Sequence, residues 1–73
     1  MKIKMRDGLH RVGKRTVLKV SRGVPVEVRS ARMNLDEAFD EAQQFWGSPL
    51  DCNEWRPKRG TATWWVVNVF VPG

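Results

Sequence analysis

A chain of 73 residues with a formal net charge of +5 and 41% hydrophobic residues has the make-up of one small basic domain, residues 1–73. It lacks the roughly 20-residue apolar run of a bilayer span, and its basic opening, Met1-Lys2-Ile3-Lys4-Met5-Arg6, has no apolar run behind it, so neither a membrane anchor nor a signal peptide is expected. Cys52 is the lone cysteine, which excludes an internal disulfide and suits a reducing cytoplasm.

The charge falls in blocks. Residues 1–33 carry ten Lys/Arg against two acids, residues 34–54 carry six acids and no base, and residues 55–73 add Arg56, Lys58 and Arg59. A basic arm, an acidic middle and a basic turn form a field suited to phosphates or to an acidic protein surface.

In chain order, Lys2-Ile3-Lys4-Met5-Arg6 alternates basic and apolar residues with the period of a half-buried strand, and Asp7-Gly8 is a tight-turn dipeptide. Residues 9–15 have no clean apolar face and read as a basic loop in preference to a short return strand. Residues 16–20 and 24–30 form the clearest hairpin, turning at Ser21-Arg22-Gly23. Val24, Val26 and Val28 share one face of the second strand, with Glu27 and Arg29 on the other. Pro25 lacks a ladder donor, which places that strand near a sheet edge.

Asn34 opens a helix running to Trp46, with Glu37 three residues on as the partner of a capping-box-like pair. Leu35, Ala38, Phe39, Ala42, Phe45 and Trp46 make one apolar stripe. Asp36, Glu37, Asp40 and Glu41 lie near the N-terminus, where the helix dipole favours acids. Gly47 supplies the left-handed stop and Pro49 prevents resumption. Residues 48–60 are turn-rich, with a short strand a candidate at 53–56. The uncharged stretch 61–71 is rich in β-branched and aromatic residues; with both faces apolar except at Asn68, it reads as a central strand covered on each side.

No catalytic or cofactor constellation appears. One Cys and one His cannot form a structural zinc site, no glycine-rich phosphate loop is present, and the helix carboxylates have the pattern of a solvated face. The expectation is a non-enzymatic protein without cofactor or metal. Aromatic residues among basic ones are the better lead. Trp46 and Trp65 have core positions, whereas Trp55, beside Arg56, Lys58 and Arg59, and Trp64 are free to stack on bases or to anchor a protein contact.

From the Met1-Lys2-Ile3-Lys4-Met5-Arg6 opening to Trp64-Trp65-Val66-Val67, the chain resembles in size, charge and general make-up the small lytic-phage transcription regulators, of the Xanthomonas-phage type, that bind host RNA polymerase. The resemblance implies inhibition of initiation by the host enzyme, antitermination during elongation, and a place in the bacterial host cytoplasm.

The expected fold is α+β: a small antiparallel sheet of three to four strands (16–20, 24–30, 61–71, with 2–6 as the candidate fourth) and one amphipathic helix packed on it. Its core would draw on Val17 or Leu18, Val26, Val28, Leu35, Phe39, Ala42, Phe45, Trp65, Val67 and Val69. The expected partner is host RNA polymerase, met by a monomer through Lys2, Lys4, Arg6, Arg11, Lys14 and Arg15, with Trp55 and Arg56. Two alternatives stand beside it: a small RNA- or single-stranded-DNA-binding module using the same arm plus Trp55 and Trp64, and an inhibitor of some other host factor.

Overall fold

The hairpin read from residues 16–30 is the middle of the sheet. The computed structural model describes residues 6–60 and 63–73, so the candidate strand at 2–6 lies outside the described residues except for Arg6. The elements in order are β1 (Gly8–Gly13), β2 (Thr16–Ser21), β3 (Val24–Ser30), α1 (Leu35–Trp46), β4 (Asp51–Cys52), β5 (Arg56–Pro57) and β6 (Trp65–Phe70). All pairings are antiparallel: β1, β2, β3 and β6 follow one another across the sheet, and β4 and β5 share the far edge of β6. The fold class is as expected, but the strands among the described residues number six rather than three or four.

Residues 9–13, read as part of a basic loop, form a strand that already starts at Gly8, read as a turn residue. Leu9, His10 and Arg11 pair with Lys19, Leu18 and Val17, and the register slips between Arg11 and Gly13. The slip interrupts the alternation, and an outer strand held by backbone bonds tolerates polar side chains, so no apolar face marked it. The β2–β3 turn places Arg22 and Gly23 both at positive φ, 56° and 77°. Two such residues match the twist of a two-residue hairpin.

β3 is an inner strand, which corrects the edge position inferred from Pro25. A bulge lets the proline in: Lys19 pairs with Glu27 and Val20 with Pro25, leaving Val26 as the extra residue. The β3–β6 ladder runs only from Glu27 to Ser30, so no bond to β6 is asked of Pro25. The bulge also changes phase. Pro25 and Val28 are buried, whereas Val26, expected in the core, is only half-buried and Val24 is exposed.

The helix forms as read. Asn34 Oδ1 accepts from the Asp36 and Glu37 backbone amides at 3.0 and 3.3 Å, and Asn34 Nδ2 donates to Glu37 Oε2. Gly47 closes the helix at φ 91°, its amide donating to the Gln43 carbonyl. α1 packs on β1, β2 and β3 through Ala38 and Ala42, whose small side chains allow close approach to the sheet. The buried core is Leu18, Val20, Val28, Ala42, Leu50, Val67 and Val69, with Val12, Phe39, Trp46 and Trp55 packed against it. Phe45 and Trp65, expected inside, are 43% and 38% exposed, and Leu35 is half-buried. A single helix of 12 residues cannot shield the whole apolar stripe and both ends of the sheet at once.

A polar latch joins helix to sheet. Thr16 and Ser30 are wholly buried neighbours on β2 and β3. The Thr16 hydroxyl donates to Glu41 Oε1 at 2.8 Å, the Ser30 hydroxyl donates to the Arg15 carbonyl, and Arg32 Nη1 donates to Glu41 Oε2 at 3.0 Å. Arg32 also pairs with Glu37. Burying these groups is tolerable because each finds a partner. The Glu41 carboxylate lies over Gly13, where a Cβ would come within 2.5 Å of it.

Candidate functional site

Successive side chains of a strand point to opposite faces, and in β2 Thr16, Leu18 and Val20 turn to the helix while Val17 and Lys19 turn away. Only the first face is covered by α1. The last strand was read as covered on both sides; Val67 and Val69 face the core, and in the opposite phase Val66 is buried while Asn68 and Phe70 are exposed, so that side is covered only in part. The sheet therefore has an open face.

Register orders the residues on that face. Arg11 of β1 pairs with Val17, Val17 with Arg29, Arg29 with Val66, and Val66 with Arg56. The result is one row across five strands in which cationic and apolar side chains alternate. Strands lie about 4.8 Å apart, so the three arginine positions repeat at about 10 Å. The next row runs Leu9, Lys19, Glu27, Asn68.

Two adjoining depressions open here. A groove of about 400 Å³ is lined by Glu27, Arg29, Arg56, Pro57, Lys58, Arg59 and Val66. A smaller, apolar hollow of about 200 Å³ lies between Leu9, Val17 and Trp64, with Arg29 and Lys58 at its rim. The Lys58 amide donates to the Trp64 carbonyl at 2.8 Å, which holds the two residues side by side. Arg29 Nε donates to Glu27 Oε1 at 2.7 Å, and Arg56 Nη2 donates to Asn68 Oδ1 at 2.7 Å. Among the described residues Arg11 and Lys19 make no salt bridge. Glu27 is the one acid of the two rows and is neutralised by Arg29. The acids of residues 36–41 sit on the helix that covers the other face, so the molecule is electrostatically two-sided.

The expected contact residues are divided by the fold. Arg11 and Arg56 join the row. Lys14 and Arg15 lie on the β1–β2 turn, where they border a separate depression with Arg32, Met33 and Asn34. Arg6 is exposed ahead of β1, its carbonyl hydrogen-bonded to His10 Nε2 at 2.6 Å. Lys2 and Lys4 lie outside the described residues. Trp55, expected at the partner contact, is half-buried and packs against the core. The face adds Leu9, Val17, Lys19, Arg29, Lys58 and Trp64. The alternation of 16–20 and 24–30 carried the signal for Lys19 and Arg29; what it lacked was which face stays open.

Among the described residues no group of three or more His, Cys, Asp or Glu could hold a metal ion, and no helix is long and apolar enough to cross a membrane. Partial burial pushes the Cys52 thiol above its ordinary value, and the Asp51 and Asp36 carboxylates add to the shift. It stays a thiol at neutral pH, which disfavours nucleophilic chemistry there. Comparison of the chain with protein-family models, with curated proteins and with solved structures finds no match.

Proposed function

We propose that this chain is a non-enzymatic binding protein whose open sheet face takes single-stranded nucleic acid. The observation that supports it most is the row Arg11–Val17–Arg29–Val66–Arg56, with Trp64 beside it. Repeated cations track a polyanionic backbone, and an aromatic surface stacks on whichever unpaired base it meets. The acidic helix on the opposite side orients the approach of a polyanion towards this face.

A second reading is that the same face docks on host RNA polymerase, inhibiting initiation and acting as an antiterminator. It is favoured by the apolar hollow between Leu9, Val17 and Trp64, a shape that also fits a buried side-chain anchor of a protein interface. Under either reading the face binds and performs no chemistry.

Direct titration separates the two. Labelled single-stranded RNA and DNA, and nucleic-acid-free bacterial RNA polymerase, are each titrated with purified protein over a range of salt concentrations. Nucleic-acid binding should weaken with a log–log slope of about −0.7 per engaged phosphate contact, and Arg11→Ala, Lys19→Ala and Arg56→Ala should each make that slope shallower by about that amount. Tight binding to the polymerase, with only weak and unselective binding to oligonucleotides, would transfer the assignment to the second reading.

A further inference from the structure

The two depressions on the open face share a wall, since Arg29 and Lys58 line both. Their linings differ in kind. One is walled by Leu9, Val17 and Trp64; the other carries Arg29, Arg56, Lys58 and Arg59 around Val66. We infer that together they form a site for one nucleotide of a bound strand, with an unstacked base in the apolar hollow and its phosphate in the basic groove.

The inference rests on the nucleic-acid reading and adds a division of labour to it. Leu9 is 59% exposed on an outer strand, so a large apolar side chain stands open at the mouth of the hollow. Trp64 is half-buried, and the bond between the Lys58 amide and its carbonyl fixes its backbone beside the residue that lines both depressions. At about 200 Å³ the hollow is of the size of one planar ring system and far too small for a stacked pair of strands. Arg56, Lys58 and Arg59 line the adjoining groove, the place assigned to the phosphate. Glu27, also in the groove, is occupied by Arg29 at 2.7 Å and leaves the groove cationic. Every base has an apolar face, so the site should take any base.

The test compares two strands of the same phosphate count: an oligothymidylate of about 12 nucleotides and a strand of equal length built from abasic units. Wild-type protein should bind the base-bearing strand more tightly by about 5- to 140-fold, with equal salt slopes on the two. Trp64→Ala should erase that preference and leave abasic binding unchanged, and Trp64→Phe should keep most of it. Arg56→Ala should instead weaken both strands and flatten both slopes. Leu9→Ala, on an exposed outer strand, gives a second reading of the hollow should Trp64→Ala fail to fold. Equal binding of the two strands by wild type, or a preference that survives Trp64→Ala and Leu9→Ala, would overturn the nucleotide site while leaving the phosphate-binding face in place. Failure of wild type to bind either strand at physiological salt would remove the nucleic-acid reading itself, and this site with it.

Discussion

Replacing Thr16 by valine tests whether the helix is held to the sheet by the buried polar latch. The swap keeps the shape of a wholly buried side chain and deletes one hydroxyl. That hydroxyl donates to Glu41 Oε1 at 2.8 Å and lies 3.1 Å from Ser30 Oγ. Ser30 keeps its own bonds to the Arg15 carbonyl and the Arg32 amide, so the loss falls on Glu41. A hydrogen bond to a charged group contributes about 1.5–3 kcal/mol. Burial of the added methyl returns about 0.8 kcal/mol. The Glu41 side chain is 26% exposed and can recover part of its hydration, which puts the net loss near the lower end, about 1–1.5 kcal/mol. For a domain of this size that is a fall in Tm of about 4–12 °C. Urea and thermal unfolding followed by tryptophan fluorescence would measure it, in the wild-type and Glu41→Ala backgrounds. The valine should cost clearly less when Glu41 is absent. Equal losses in both backgrounds, or a Thr16→Val protein as stable as wild type, would refute the latch.

Gly13→Ala should drive its Cβ into the Glu41 carboxylate, displacing it from Thr16 and Arg32 at a cost of about 1–3 kcal/mol, read as a lower urea midpoint that largely recovers in a Glu41→Ala background. Asn34→Ala removes the acceptor for two helix amides and should lower stability by about 1 kcal/mol in the same assay, with Asn34→Asp retaining most of it. The thiolate of Cys52 is disfavoured first by partial burial and then by Asp51 and Asp36, so alkylation by iodoacetamide should rise at a higher pH in the folded protein than in urea. Asp51→Asn should move that profile back towards lower pH; a folded-state profile at or below the unfolded one would contradict the assigned surroundings.

Local chemistry in this chain speaks for local structure. The Asn34 cap, the Gly47 stop and the 16–30 hairpin were legible because each depends on residues within one turn of helix or one hairpin, whereas the choice between Val17 and Leu18 for the core was left to the tertiary packing. The charged, outward positions of Glu27 and Arg29 were legible for the same reason. Strand pairing was less so. β4 and β5 are two residues each, too short to carry a period, and residues 8–13 owe their strand to the partner β2 rather than to their own pattern. The bulge at Val26 moved Pro25 inside and turned Val26 out of phase, a two-strand feature that residues 24–30 alone do not announce. Alternation states that a sheet has two faces; which one is covered depends on where the only long helix among the described residues lands. In this protein the helix lands on β1, β2 and β3, with Ala42 in one cluster with Leu18 and Val28, and that placement, made by contacts distant in sequence, leaves Arg11, Arg29 and Arg56 in line on the other face.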